Sequence, residues 1–450
     1  MNRLARRRPG ACASPHGISP VWLACLLAAA PLAGCRAPSP PGNADAPPGA
    51  RATAGAACDR NPRWSHSGAQ IAFVRSFRDR TEQLCLMDAL SGRVRTLAKP
   101  ALVHPDREYA SSLDGYGSPD TIAWSPDDGE IAFERIEWFN FDNGERLPGT
   151  GLWELDMRTG GTAPLATHPK RYTLGLFYYH DPAWSPDGRR LAFIGEGING
   201  QRVLYVRTFG VQRSDRVPAQ FDSRSDSDWP VWAKRPADGP ASFALAFRRG
   251  IRAARSVPPT ETIRLLAPGD SLQNSNGELC RITAQRLKEA LPALRNETVT
   301  PRICSPAWSP SGRSLALAVS PDPLDSTLST LWVVGPGSPG GRMVAGGAGR
   351  GFIAPVWIGE ELLGALSPRP GGYAVVTVRI ATGEVKVLGE IPTADCDWSP
   401  DRSAVAFAGS AAGAGPASGA IGIFKTGLGS GAARLEPSAG ISPAGQSAGR

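Results

Sequence analysis

Residues 181–193 read DPAWSPDGRRLAF, a pattern that predicts a strand, a tight turn and a second strand. In the WSPDG segment, proline presets φ at the first turn position, aspartate bonds to nearby backbone, and glycine supplies a positive φ. The LAF ending alternates in a way that places apolar groups on the faces of a sheet. Such a turn is either a chemical site or a scaffold element, and its recurrence along the chain decides between the two.

Aligning the 450 residues on this tryptophan gives seven units, and each supplies four short apolar runs with a TG or SG turn near its end. A lone four-stranded sheet cannot cover both of its faces, so the units must stack, and radial stacking gives a β-propeller. We therefore predict an all-β chain with a single β-propeller of seven four-stranded blades. Six blades is the alternative, because two units keep only the tryptophan and the following strand. The units centre on Trp64, Trp124, Trp184, Trp232, Trp308, Trp357 and Trp398.

The repeated motif resembles that of the TolB-like β-propeller family, periplasmic propellers built from WSPDG repeats. The motif reads WSPD or WSPS at Trp124, Trp184, Trp308 and Trp398, and the resemblance covers roughly residues 58–437. It implies a propeller fold and a place in the bacterial cell envelope. We assign residues 58–437 to the propeller and residues 438–450 to a disordered tail.

The first 34 residues predict a signal peptide, with a basic start followed by the apolar segment VWLACLLAAAPLAG. The segment ends in LAGC and resembles the bacterial lipoprotein signal, in which Cys35 is acylated after cleavage. Three acyl chains, at about 0.8 kcal/mol per buried CH₂, would anchor the chain stably. Residues 35–57 predict a disordered tether, and an outer-membrane location facing the periplasm is favoured over the inner membrane. The alternative is an ordinary secretory signal with an incidental cysteine.

The charge of the chain points away from nucleic acid. Removing the four arginines of the leader lowers the formal charge from +8 to +4, a modest value for more than 400 residues. We expect contact with a membrane through the lipid anchor and a protein or peptide partner in the envelope.

Five cysteines remain beside Cys35, and none lies in a CxxC pair or near a histidine at metal-ligand spacing. Cys280 and Cys304 would close one loop, and Cys58 could reach Cys85 or Cys396. Small buried apolar side chains are the alternative role for all of them. We predict no zinc site and no cofactor, and a divalent cation in the channel is not predicted.

The extra length of the units falls in the second-to-third loops and in the links between blades, which open on the same face of a propeller. We call it the insertion face, and it is the expected binding face. Residues 268–302 include a predicted short helix with Leu287, Leu291 and Leu294 on one side. Two insertions carry aromatic residues that form a recognition patch or, alternatively, small loop cores. They are Trp138, Phe139 and Phe141 in one and Tyr172, Phe177, Tyr178 and Tyr179 in the other.

Acidic residues recur three or four positions before the tryptophans, where the innermost strand begins. Asp120, Asp181, Asp228 and Asp395 are expected to ring the channel mouth, with His180 and Arg302 beside them. Such a ring suits a cation or a basic peptide terminus. The alternative is that each aspartate only caps a local turn.

Catalytic motifs give little support for an enzyme. The sequence has no P-loop, HExxH or Cys–His pair, and the GxSxG at residues 445–449 lacks a following histidine. We therefore predict a lipid-anchored binding scaffold, more in keeping with the sequence than an enzyme. The alternative is a lactonase- or glycosidase-like propeller hydrolase that uses the acidic ring.

Overall fold

A computed structural model describes fifteen segments of the chain, and the leader, Cys35, the tether up to residue 55 and the tail lie outside them. The described residues are 56–77, 81–97, 102–103, 122–140, 146–166, 176–197, 202–209, 225–234, 243–251, 260–266, 278–322, 326–335, 338–347, 350–409 and 420–428.

The chain forms seven antiparallel sheets, each built from strands consecutive in sequence, which are the blades of a seven-bladed β-propeller. The prediction of seven blades is confirmed. In the first three blades, the strands are β1 (Ala56–Trp64), β2 (Gln70–Phe77), β3 (Thr81–Asp88), β4 (Val94–Thr96) and β5 (Leu102–Val103); β6 (Ile122–Trp124), β7 (Glu130–Asn140), β8 (Arg146–Asp156) and β9 (Thr162–Ala166); and β10 (Leu176–Trp184), β11 (Arg190–Gly197) and β12 (Arg202–Thr208).

The remaining four blades continue the same up-and-down order. Their strands are β13 (Ser225–Lys234), β14 (Phe243–Ile251), β15 (Thr260–Leu266) and β16 (Glu278–Ile282); β17 (Arg302–Trp308), β18 (Leu315–Ser320), β19 (Thr330–Gly335) and β20 (Ser338–Ala345); β21 (Ile353–Trp357), β22 (Leu362–Arg369), β23 (Gly372–Arg379) and β24 (Val385–Ile391); and β25 (Cys396–Trp398), β26 (Ala404–Phe407) and β27 (Gly422–Lys425).

The hydrophobic core is divided into seven clusters, each lying between two neighbouring blades. One cluster joins Trp64 and Phe73 of the first blade to Ala404 and Ile421 of the last, so the ring is closed. Each sheet has two apolar faces, and burying both of them requires a neighbour on either side. This is the physical reason why the repeats form a ring.

The repeated tryptophan fixes the distance between blades through its indole nitrogen as well as its bulk. In five units the indole N–H donates to the carbonyl of the residue just before the tryptophan of the preceding blade. The donor–acceptor distances are 3.2 Å for Trp64 to Asp397, 3.0 Å for Trp124 to Arg63, 3.0 Å for Trp232 to Ala183, 3.2 Å for Trp308 to Val231 and 2.8 Å for Trp357 to Ala307.

The WSPDG turn is held by its own serine and aspartate. The Ser185 hydroxyl donates to Asp187 at 2.6 Å and accepts the amide of Arg190 at 2.9 Å. Gly188 has φ 67°, as the motif requires, while Asp128 and Arg402 take that left-handed position in two other units. The turn is therefore a compact hydrogen-bonded unit with no group left over for chemistry.

Neighbouring turns are also tied to one another. The Asp128 carboxylate accepts the amides of His66 at 2.7 Å and Ser67 at 2.9 Å, both in the preceding turn. In the same way Glu360 accepts the Ser311 amide at 2.7 Å. We call this side of the propeller the turn face, and these contacts give it a structural role.

Replacing Ser185 with alanine is expected to lower the free energy of unfolding by about 1–2 kcal/mol, because the Arg190 amide loses its side-chain acceptor and Asp187 loses one of its donors. The measurement is a urea titration followed by tryptophan fluorescence. Ser91→Ala is the matched control, since Ser91 donates to Asp88 in an exposed turn, and its effect should stay within about 0.5 kcal/mol. Equal effects of the two changes would contradict this role for the motif.

The insertion between the fourth and fifth blades contains the helix that the sequence predicts. Helix α1 (Ala284–Ala290) begins at Thr283, whose side chain accepts the Arg286 amide. Leu287, Leu291 and Leu294 are all buried in the cluster between these blades, which confirms the predicted apolar side. The helix thus belongs to the core of the insertion face.

No disulfide bond joins Cys85, Cys280, Cys304 or Cys396 to another cysteine of the described residues. The suggested Cys280–Cys304 bridge is therefore not formed, and Cys280 lies in the apolar cluster beside helix α1. Burial raises the pKa of Cys280 to about 12, so this thiol is held in its neutral form. Among the described residues, no helix is long and apolar enough to cross a membrane.

Candidate functional site

The innermost strands carry a bulge at the position where the sequence places its acidic ring. Three residues before the tryptophan, five units have a positive φ, and a proline follows each of them. The strand pairing shifts register at the same place. These residues are Asn61, Asp181, Trp229, Ser305 and Ala354, with φ between 46° and 56°. Asp181 therefore has a backbone role, since aspartate tolerates this conformation better than most residues.

Asp395 closes the ring instead of facing a ligand. Its carboxylate accepts the amide of Asn61 in the first blade at 2.8 Å. Two residues on, the Asp397 carboxylate accepts the amide of Trp64 at 2.8 Å. In the described part of the chain no sheet takes strands from both ends of the sequence, so these contacts and the apolar cluster hold the last blade to the first.

Asp181 and His180 belong to a buried polar cluster on the innermost strand of the third blade. His180 Nδ1 lies 3.1 Å from Asp181 Oδ2, and Nε2 lies 3.5 Å from Glu196 Oε2. Only 8% of the His180 side chain is exposed, and neither ring nitrogen has hydrogen-bond geometry with a partner. Arg202 Nε donates to the same oxygen of Glu196 at 2.9 Å. The cluster thus sets an imidazole between two carboxylates.

Glu134 reaches the cluster from β7 of the second blade. The backbone amide of Asp181 donates to its carboxyl group, while its Oε1 is buried and has no hydrogen-bond partner. Burial raises the pKa of Glu134 to about 8, with Asp181 adding to the effect and His180 and Arg60 opposing it. At neutral pH this side chain is therefore largely protonated.

The charge of His180 follows from its neighbours. Burial lowers the pKa of the imidazole, but the carboxylates of Asp181, Glu196 and Glu134 outweigh it and raise the pKa to about 10. Burial raises the pKa of Glu196, but His180 and Arg202 outweigh it and bring the pKa below its ordinary value. The cluster thus combines a histidine and a glutamate with raised pKa values and a second glutamate with a lowered pKa, which is a set of groups suited to binding and releasing protons.

Buried ion pairs recur in the first and fourth blades. Arg75 contacts Asp59 through two hydrogen bonds of 2.7 and 2.8 Å. Arg248 pairs in the same two-pronged way with Glu261, which also accepts the amide of Ile303 in the fifth blade at 3.3 Å. The innermost strands of the fifth and sixth blades have Cys304 and Ile353 where the third has His180. Ion pairs of this kind thus lie in blades on either side of the His180 cluster.

The structure locates some of the remaining candidates for the acidic ring. Asp228 lies in β13 opposite Arg248 in the strand register, and Asp120 lies outside the described residues. Arg302 begins β17 and is half-buried. Of the predicted ring, the structure brings together His180 and Asp181, while Asp395 serves the blade junction.

The aromatic residues lie in strands, where the sequence predicts insertion loops. Trp138 and Phe139 extend β7, paired with Pro148 and Leu147 of β8. Phe141 and Tyr172 lie outside the described residues. The prediction of a loop in this insertion is therefore wrong. The alternating pattern of residues 130–140 continues the hairpin beyond the sheet. We call residues 135–140 and 146–151 the extended hairpin.

Tyr178 and Tyr179 continue β10 towards its start. Tyr179 is 7% exposed and packs edge-on against Phe193 and Tyr205, with ring centroids 5.8 and 6.3 Å apart. The Tyr179 ring fills the space between the second and third blades, so it contributes to the core there. Tyr178 is half-buried and pairs with Glu196 in the register.

Glu134, Glu196 and Arg202 were missed by reasoning from the sequence. A signal for two of them exists in FERIE and FIGEG, where an acid interrupts the apolar run of a second strand. A charge in such a run needs a buried partner. No group of three or more His, Cys, Asp or Glu side chains within the described residues is placed to hold a metal ion.

Comparisons with known proteins give distant structural likenesses. No family model matches the sequence, and no curated protein matches it. A prolyl endopeptidase aligns over 79% of this chain and 46% of its own, at 13% identity and TM-score 0.49. TolB from Acinetobacter baumannii aligns over 81% of this chain and 63% of its own, at 17% identity and TM-score 0.38.

A third likeness is the β-propeller domain of the trilobed protease from Pyrococcus furiosus, at 13% identity and TM-score 0.45 over 78% of this chain and 91% of that domain. The chain thus spans about half the length of the prolyl endopeptidase and under two thirds of TolB. With every one of these TM-scores below 0.5, the likenesses assign no activity to this chain.

Proposed function

We propose that this protein is a TolB-like, lipid-anchored propeller of the bacterial cell envelope that binds a protein or peptide on its insertion face. The observation that carries the proposal is the contrast between the two faces. The turn face is closed by contacts such as Asp128 with His66 and Glu360 with Ser311. The opposite face bears helix α1 and the extended hairpin, whose strands of 11 residues each reach beyond the sheet.

The extended hairpin supports binding through its sequence. An aromatic residue that stands on a strand needs little further ordering when a partner arrives, because its backbone is already fixed. Trp138 and Phe139 are consecutive positions of β7, and consecutive positions of a strand belong to opposite faces. Each face of this element therefore offers an aromatic position to a partner.

The first test is crosslinking and mass spectrometry of the anchored protein in its own membrane. We expect a recurrent partner whose crosslinks fall on the extended hairpin or near helix α1. Trp138→Ala should weaken capture of that partner at least about tenfold, as for an aromatic interface anchor. Arg189→Ala is the control, because Arg189 is exposed on the turn face, and it should leave capture unchanged. Equal capture by both variants would contradict binding at the hairpin.

A second candidate function is a propeller hydrolase of the lactonase or glycosidase type. One observation favours it: His180 lies 3.1 Å from one carboxyl oxygen and 3.5 Å from another in the inner strands, and groups with strongly shifted pKa values cluster at functional sites. In that case the purified protein should hydrolyse a lactone or glycoside, and Asp181→Asn should abolish turnover. A binding scaffold should leave the same substrates intact, and its Asp181→Asn variant should still capture the partner.

A further inference from the structure

The cluster around His180 joins several blades at one point. Glu134 comes from β7 of the second blade, whereas His180 and Asp181 come from β10 of the third blade, and Glu196 from the adjacent β11. Other contacts between the second and third blades include apolar packing around Tyr179 and Phe193, the Thr150 hydroxyl with the Tyr179 backbone, and the Arg207 guanidinium, which donates to the Leu165 carbonyl. The cluster thus places titratable groups directly across a junction between blades.

The charged groups around His180 and Glu134 come from β1 and from the strands of the third blade. Asp181 and Glu196 are the anions beside His180, and Arg202 of β12 faces Glu196. Arg60 of β1 is the cation of the first blade that acts on Glu134. With Glu134 protonated, two carboxylates face the imidazolium and one guanidinium, and charges are balanced within the third blade. Loss of that proton adds a third carboxylate across the junction.

We propose that Glu134, His180, Asp181 and Glu196 form a pH-sensitive latch between the second and third blades, which holds while Glu134 is protonated and loosens when that proton leaves to solvent. An ionised Glu134 is attracted by His180 more strongly than it is repelled by Asp181, so its lost hydration is the effect that favours opening of the junction. Because Glu134 lies at the base of the extended hairpin in β7, loosening acts first on this element.

The direction of the pH dependence follows from the two raised pKa values. Glu134 titrates near 4.5 in an unfolded chain and at about 8 in the fold, and His180 near 6.5 and about 10. The folded protein therefore binds these protons more tightly, and their contribution to stability is lost as pH rises. For Glu134 the loss spans pH 4.5 to 8, and for His180 it spans pH 6.5 to 10.

The test compares wild-type protein with Glu134→Gln, which keeps the shape and cannot ionise. Between pH 6 and 9 the melting temperature of the wild type should fall more than that of the variant. Hydrogen exchange, corrected for the intrinsic rate at each pH, supplies the local measurement. Over this range, protection of β7 and β10 should fall at least about tenfold further in the wild type than in the variant. Protection of β22 and β23 should change little.

The control is Glu384→Gln, which makes the same chemical change at an exposed position beside Arg379. This variant should retain the wild-type pH dependence. Equal pH dependence in Glu134→Gln and the wild type would overturn the latch. If Glu134→Gln fails to fold, the wild-type exchange data still decide, because a uniform loss of protection in all blades also overturns the proposal.

Partner binding gives an additional outcome that rests on the proposed function. If the extended hairpin binds the partner, affinity should fall over the same pH range in the wild type and less in Glu134→Gln. Loss of protection in β7 with unchanged affinity would keep the latch and count against the hairpin as the binding element. Unchanged protection would overturn the latch whatever the affinity does.

Discussion

Replacing Trp357 with alanine is expected to lower the free energy of unfolding by about 3–5 kcal/mol, as for large aromatic residues removed from a core. Trp357 is 4% exposed and lies in the cluster between the fifth and sixth blades. Its indole donates to Ala307 of the preceding blade at 2.8 Å. The change therefore leaves a cavity and an unpaired carbonyl at the same junction.

Trp357→Phe separates the effect of the cavity from the effect of the lost indole hydrogen bond. It keeps an aromatic ring in the junction and removes the indole donor, so a loss smaller than that of the alanine variant is expected, on the order of 2 kcal/mol. Urea unfolding followed by circular dichroism measures both. Val387→Ala is the surface control, because Val387 is 52% exposed. An alanine variant at position 357 no less stable than this control would show that the tryptophan does not hold the blades together.

Asp397→Ala is expected to weaken the junction between the last blade and the first, by about 1–3 kcal/mol. The carboxylate accepts the Trp64 amide at 2.8 Å, and this donor would be left without its partner. Arg402 would also lose the charge that opposes the effect of burial on its pKa. The stability loss should come with faster hydrogen exchange in β1, β25 and β26, because these strands meet at the junction.

Asp397→Asn provides the matched control, since the amide keeps an oxygen acceptor of the same reach. It should retain more of the stability than Asp397→Ala. Unaltered exchange in β1 for the alanine variant, with all loss appearing in the middle blades, would place the ring closure elsewhere.

The fold was predictable from the sequence because each repeat contains the same structural signals. The tryptophan, the turn and the alternating strand recur together, and a four-stranded sheet with two apolar faces has few ways to bury both. Trp232 and Trp357 lack the SPDG residues, yet their indole groups make the same contact with the preceding blade as those of Trp64, Trp124 and Trp308. The tryptophan at the junction is thus retained in blades that lack the turn sequence.

The candidate site was predictable in part. Asp181 and His180 were expected in one acidic ring; they are in contact on the innermost strand, and their position depends on the bulge at Asp181, which has φ 53°. Glu134 and Glu196 come from second strands of two blades, and their meeting with His180 depends on how neighbouring blades pack. Spacing along a chain does not show contacts across a junction, so these acids were not expected in one cluster.

The aromatic insertions were assigned the wrong secondary structure. Trp138 and Tyr179 lie in segments longer than the bare repeat, which suggested loops. Both continue strands, because their segments keep the apolar alternation that favours pairing with the next strand. Tyr179 is consequently part of the core between blades, while Trp138 extends the hairpin that the proposed function uses.

Binding on the insertion face is tested most directly by site-specific photocrosslinking in cells. A photoreactive amino acid is placed at position 138 on the extended hairpin or at position 189 on the turn face, and adducts are identified by mass spectrometry. The proposed function predicts one recurrent protein adduct from position 138 and none from position 189. Adducts from position 189 alone, or from neither position, would contradict it.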